Sequence, residues 1–235
     1  MASFHLIRYG SIREMRHMAF DRPLLRRTGG LLFWRLLGTG RGRTMSLGAD
    51  LRRWAMFAFW RDEGDLEEFL RTSPIAARWR TEADESWQVR LAPLASRGAW
   101  AGRDPFGGHP ARPGGAGPVA VLTRASIRAR RLVAFYRSVP PVEELLRRQD
   151  GCLASIGMGE WPLARQATFS LWRDREAVSA FAYRGQAHQR VIEQVRSHAW
   201  YAEELFARFV PYASEGTWDG TDPLRQAHRE TDPRR

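Results

Sequence analysis

Arg90-Leu91-Ala92-Pro93-Leu94-Ala95-Ser96-Arg97-Gly98-Ala99-Trp100-Ala101-Gly102 returns in the second half of the chain as Arg208-Phe209-Val210-Pro211-Tyr212-Ala213-Ser214-Glu215-Gly216-Thr217-Trp218-Asp219-Gly220. The order Arg, Pro, Ala, Ser, Gly, Trp, Gly is kept in both copies. Chance rarely aligns Pro, Gly and Trp together, so the chain reads as two copies of one unit in tandem. A position needed only for folding should look alike in both copies. A functional site is therefore sought where the copies differ.

The repeat extends upstream. Phe57-Ala58-Phe59-Trp60-Arg61-Asp62 matches Phe169-Ser170-Leu171-Trp172-Arg173-Asp174, and Phe69 matches Phe181. Gly38-Thr39-Gly40 matches Gly157-Met158-Gly159, and Ser11-Ile12-Arg13 matches Ser126-Ile127-Arg128. Short apolar strands are expected at Phe4 to Tyr9 and Val119 to Thr123, near Leu31 to Leu37 and Cys152 to Ile156, and at Trp54 to Trp60 and Gln166 to Trp172. Helices are expected at Ile12 to Phe20 and Ile127 to Tyr136, then after the N-caps Asp62 and Asp174, the last running to about Glu204. Final strands hold Arg90 to Leu94 and Phe206 to Tyr212.

The order is βαββαβ, twice. It builds two antiparallel four-stranded sheets, each with its helices on one face. A unit of this size cannot leave its second sheet face bare. The expected fold class is α+β: tandem ferredoxin-like repeats packed sheet to sheet, an intramolecular dimeric α/β barrel. Phe57, Phe59, Phe169 and Trp172 suit the interface, and the pair should enclose or flank a pocket. The boundaries read as residues 1–98 for the first repeat, 99–117 for a Gly/Pro-rich linker, 118–220 for the second repeat with the site, and 221–235 for a polar, disordered tail.

Composition narrows the function. The net charge is +11, carried by Arg alone, because the chain has no Lys. The Arg residues are dispersed along both halves, which argues against nucleic acid and leaves a weak attraction to anionic membrane surfaces. No apolar run is long enough to span a bilayer. One cysteine, Cys152, excludes an internal disulfide, and a cytoplasmic protein is the simplest expectation. Cys152 itself suits a small buried hydrophobe.

Three departures from symmetry stand out. His188 occupies a position where the first copy has Ala76. A neutral imidazole there can ligate a haem iron or move protons, and equally can cap or face solvent from a helix. The second copy carries an insertion around His198-Ala199-Trp200-Tyr201-Ala202-Glu203-Glu204, read either as a cavity wall or as a helix with a solvated acidic edge. The hairpin Gly40-Arg41-Gly42-Arg43-Thr44-Met45-Ser46-Leu47-Gly48 is longer than its counterpart. Its Arg residues can reach a carboxylate or remain a solvated tip.

Thr168-Phe169-Ser170-Leu171-Trp172, then Phe181-Ala182-Tyr183 with His188, then Trp200-Tyr201-Ala202-Glu203-Glu204-Leu205-Phe206-Ala207-Arg208-Phe209 resemble the spheroidene monooxygenase family of carotenoid-modifying enzymes. Leu37-Gly38-Thr39-Gly40-Arg41 resembles that family's first half. The resemblance implies a haem-dependent monooxygenase that inserts oxygen into an acyclic carotenoid. It implies an external electron donor such as ferredoxin and peripheral contact with a membrane. It makes His188 the candidate axial ligand, with Arg41, Arg184 and Tyr183 as further cofactor-binding candidates. The alternatives are a haem-dependent dehydratase of the aldoxime type, a cofactor-free oxygenase, and a non-catalytic ligand-binding barrel. An oligomer is compatible with each of them.

Overall fold

The structure is a computed structural model that describes residues 1–40, 48–105, 115, 117–132, 146, 149–160, 165–184 and 201–231, with the backbone alone for 129, 182–184, 230 and 231. Eight strands form a closed antiparallel barrel. They are β1 (Ala2–Tyr9), β2 (Leu31–Gly40), β3 (Ala49–Trp60), β4 (Ala83–Gly98), β5 (Val119–Ile127), β6 (Cys152–Glu160), β7 (Arg165–Trp172) and β8 (Tyr201–Gly216). Around the barrel the order is β1-β3-β2-β6-β7-β5-β8-β4. Each repeat contributes four adjacent strands. The long β4–β8 ladder and a short β2–β6 contact at Gly38–Gly159 and Thr39–Met158 close the two seams. The expected tandem barrel is the fold.

Strand alternation sends one face of each sheet inward. Phe4, Phe57, Phe59, Val89 and Leu91 from the first repeat meet Leu122, Ile156, Phe169, Leu171 and Phe209 from the second in one buried core. At its centre Phe4 stacks on Phe169 with ring centroids 4.0 Å apart. Trp172 departs from the expected interface. It follows Leu171, so alternation turns it outward, where it packs on Phe181.

The repeated Gly-x-Trp-x-Gly segments close the barrel ends. Trp100 and Trp218 each form a bridge with the residue three further on, Arg103 and Thr221. Trp100 stacks on Phe57, and Trp218 packs against Trp87. Because the strands are antiparallel, Trp218 lies at the end where β1 finishes and Trp100 at the end where β5 finishes. Each turn is held by a carboxylate of the other repeat. Glu203 accepts hydrogen bonds from the Ala101 and Gly102 amides at 2.9 and 2.6 Å and pairs with Arg124. Glu85 accepts from the Thr217 hydroxyl and the Gly220 amide at 3.1 and 2.7 Å. Burial pushes the Glu203 carboxyl up, but those amides and the Arg124 charge outweigh it and hold the group below its ordinary value.

The helices are α1 (His17–Arg26), α2 (Glu63–Thr72), α3 (Pro74–Glu82), α4 (Arg175–Arg184) and α5 (Pro223–Thr231), with 3-10 turns at Ile12–Arg16 and Ala129–Arg131. The expected helix from Ile12 to Phe20 is thus a 3-10 turn running into α1. The expected Asp caps are present: Asp62 accepts from Asp65 N and Asp174 from Ala177 N. Two expectations are corrected. The last helix does not extend to Glu204. Residues 201–216 are strand, because Leu205, Ala207 and Phe209 alternate into the core and Glu203 is needed at the Trp100 turn. The tail is not wholly disordered. Asp222 accepts from the Leu224 amide and the Trp87 indole, and Leu224 and Ala227 are buried, which organises α5.

Gly98 and Gly102 both have positive φ, but their surroundings differ. A Cβ on Gly98 would lie 2.0 Å from the Glu204 carbonyl oxygen, whereas one on Gly102 would meet nothing within 4 Å. Gly98→Ala should therefore destabilise the protein by ~3 kcal/mol or more, and Gly102→Ala by only ~1 kcal/mol. Urea unfolding of the two variants checks this ordering.

Candidate functional site

The closed, filled barrel leaves no pocket among the described core residues, so the outer sheet faces are the surfaces to compare. Phe57 pairs with Phe4 and Arg35 as Phe169 pairs with Leu122 and Ile156, which sets the two repeats in register. On the first repeat the outward pairs between β2 and β3 are Trp34–Ala58, Leu36–Met56 and Gly38–Trp54. Next to them on β1 stand His5 and Ile7. This face is packed solid. Trp54, Met56, Trp60 and Leu36 bury themselves against Leu25, Leu66, Phe69, Ile75 and Trp79 of α1, α2 and α3.

On the second repeat the same outward pairs are Ser155–Ser170, Gly157–Thr168 and Gly159–Gln166. Thr123 and Ala125 replace His5 and Ile7. Two indoles, a leucine, a methionine and an isoleucine have become serine, glycine, threonine, glutamine and alanine. Among the described residues, the side-chain volume of the first sheet face is not matched on the second. Val119, Val121, Trp172 and Phe206, with Ala177, Val178 and Phe181 of α4, form an apolar border on one side.

The charge on this face differs too. Arg90 of β4 donates to Glu63 and Glu67 of α2. Its counterpart on β8 is Arg208, since Arg90 pairs with Ser3 as Arg208 pairs with Val121. The helix positions that supply Glu63 and Glu67 are Arg175 and Ser179 in α4. Among the described residues nothing replaces those carboxylates, and the Arg208 Nε is buried without a hydrogen-bond partner. Arg53, Arg78, Arg124 and Arg131 share an unpartnered Nε, but a buried guanidinium N–H that has lost its carboxylate partners also suits a ligand carboxylate.

Tyr183 and Arg184 end α4, whose side chains there are outside the described residues, and His188 follows four residues later, also outside them. Arg41 and His198 lie outside them as well. The structure therefore neither unites nor separates these candidates. Two other histidines are occupied. His17 pairs with Glu14 and Glu82 at 3.1 and 3.4 Å. His5 is buried beside Trp79, and its Nε2 is engaged by the Ser3 hydroxyl at 2.8 Å. Ser3 also accepts from the Trp60 indole. Cys152 is half-buried against the apolar border, as a packing residue.

Arg208 was invisible to a search for differences, because Arg is conserved between the copies at this position. The usable signal was one step removed, in the loss of the two acidic partners. A second polar feature lies at the Trp100 end of the barrel. Glu160 accepts from the Trp100 indole and pairs with Arg35, Arg124 and Arg165. Beside it opens a cleft of about 580 Å³ lined by Arg22, Arg26, Arg35, Arg103 and Arg165.

Comparison with known proteins defines first the class. An aldoxime dehydratase superposes with a TM-score of 0.64 at 13% identity, covering 95% of this chain and 86% of its own. The aldoxime dehydratase OxdRE, in complex with butyraldoxime, superposes at 0.58 and 11% identity over 95% of this chain and 84% of its own. These likenesses establish the barrel fold. No protein-family model matches the chain. Sequence relatives are more specific. A spheroidene monooxygenase of Rhodobacter capsulatus is 34% identical over 238 residues, covering 98% of this chain and 99% of its own. Those of Rubrivivax gelatinosus and Cereibacter sphaeroides are 38% and 35% identical, with 73% and 60% of their lengths covered. The chain belongs to the spheroidene monooxygenase family, and is a monooxygenase.

The assignment of His5 as a structural group carries a pH test. Burial, aided by the Arg90 charge, pushes the His5 imidazole down to about 3 from 6.5. A depressed value means stability present above the unfolded pKa and lost as pH falls, because only the unfolded chain takes up the proton. From pH 6.5 toward 5 the wild type should lose ~1.4 kcal/mol per unit relative to His5→Thr, the residue type used by the second repeat. Urea unfolding at stepped pH measures it, and parallel curves would refute it.

Proposed function

We propose that the outer face of the second repeat holds a haem, and that the protein uses it to oxidise a long apolar substrate of the acyclic carotenoid kind. The relatives are named for spheroidene, which supports that substrate class. The carrying observation is the small-residue face Ser155, Gly157, Thr168 and Thr123 beside the unpartnered buried Nε of Arg208. A planar ring system needs such a ledge, because any of the first repeat's large side chains would occupy the same space. A haem bound there would supply the oxygen chemistry.

The chain's own residues have limited tasks. His188, four residues beyond the α4 terminus, would ligate the iron. Arg208 would offer donors to the propionates, and Arg41, Arg184 and Tyr183 are the further residues that would hold the group. Val121, Phe206, Trp172 and Phe181 exclude water from one side, which favours oxidation of an apolar substrate over leakage to solvent. Electrons would come from an external donor such as a ferredoxin.

Titration with haemin tests the reading. The wild type should give a Soret band, and His188→Ala should shift it and weaken binding at least ten-fold. Gly157→Leu with Thr168→Met rebuilds the first repeat's filling and should abolish binding while leaving thermal unfolding intact. Haemin bound as tightly by that variant as by the wild type would reject this face. Oxygen uptake that requires a reductant separates a monooxygenase from a dehydratase or a cofactor-free enzyme.

A further inference from the structure

Five of the seven large apolar side chains exposed among the described residues fall in one short segment. They are Ile12, Met15, Phe20, Leu24 and Leu32, with Phe20 65% exposed. The segment is the 3-10 turn, α1 and the start of β2. Exposed single apolar residues are ordinary, but a cluster of this kind marks a contact surface. Phe20 and Leu24 are one helical turn apart and share a face, which Arg16 and Arg27 flank, whereas Arg22 and Arg26 lie on the opposite flank of the helix. Arg13, Arg16 and Arg27 complete five exposed cations. No carboxylate in the segment is free to offset them. Glu14 is shared between His17 and Arg16, which leaves the other four arginines without a carboxylate of the segment, and Asp21 is fully buried against Arg78 of α3. That buried pair also ties α1 to the body of the protein, so its outer side is presented as a fixed surface.

We propose that this surface, Ile12 to Leu32, docks the protein on an anionic phospholipid bilayer. Apolar tips among arginines match the boundary between headgroups and acyl chains, where Phe and Leu enter the chains and Arg meets phosphate. A second copy of the chain would bring five arginines against five and is disfavoured. The charge pattern continues into the adjoining cleft, where Arg22, Arg26, Arg35, Arg103 and Arg165 face a single carboxylate, Glu160. That cleft opens on the other flank of α1, with Arg22, Arg26 and Leu32 in its lining. It lies beside the β2–β6 seam, on whose other side begins the small-residue face. An apolar substrate dissolved in the bilayer would thus be met close to where it is used. The docking itself does not depend on the cofactor.

Co-sedimentation of the full chain with vesicles of phosphatidylcholine, with and without phosphatidylglycerol, tests the proposal without any turnover. Binding is expected to the anionic vesicles only. Arg16→Gln with Arg27→Gln should weaken it about five-fold per arginine. Phe20→Ser with Leu24→Ser should weaken it at least as much and remove the part that survives high salt. Arg52→Gln with Arg229→Gln makes the same charge change elsewhere and should leave binding near wild type. Equal loss in that control would mean that net charge, not this surface, drives binding, and would overturn the proposal. So would wild-type partition of either docking-surface variant. Absence of vesicle binding would overturn it too and turn the surface toward an acidic protein instead.

Discussion

The contact of Phe4 with Phe169 ties one repeat to the other through the middle of the barrel. It has a structural consequence for everything outside it. The inner sheet faces are filled by rings, with Trp100 and Trp218 packed at the two ends, so the described residues between the sheets form one buried core. The inner face supplies the hydrophobic burial that two small units need, and neither repeat has to support a core alone. Chemistry is thereby displaced to the outer faces, where helices and sheet meet.

The two outer faces then take different roles. The first is packed with tryptophan and phenylalanine, and its buried His5 imidazole is neutral and engaged. Its arginine, Arg90, is neutralised by two glutamates. The second has the same backbone, the same pairing register and the same arginine, but neither the bulk nor the acidic partners. Duplication gives a protein one copy that can keep the fold and one that can be hollowed for a ligand. The filled copy also offers its remote surface, α1 and its neighbours, for contact with something outside the protein.

Much of this was legible in the sequence. Collinear blocks reported the duplication, and the βαββαβ order implied sheets covering each other. Matched Gly98 and Gly216 reported a backbone with positive φ pressed against the neighbouring repeat, and matched Trp100 and Trp218 reported the plugs. Strand ends were less legible. β8 begins at Tyr201 because its early residues serve the Trp100 turn of the other repeat, a long-range constraint that local pattern does not carry. Leu224 and Ala227 look too sparse for an ordered helix until Asp222 is seen to be fixed by Trp87. The rule of looking where the copies differ led to His188, but it missed Arg208. There the residue is shared and only its partners, Glu63 and Glu67, are lost. Trp172 was misplaced for a simpler reason, since one step along a strand reverses the face.

The central claim is that a filled barrel places the ligand on the outside of the second sheet. A crystal structure of the protein soaked with haemin tests this most directly. The account requires the porphyrin on the face formed by Gly157, Thr168 and Thr123, with a carboxylate on Arg208. A porphyrin wedged among Phe4, Phe57 and Phe169, or seated on the α1–α3 side of the first repeat, would contradict it.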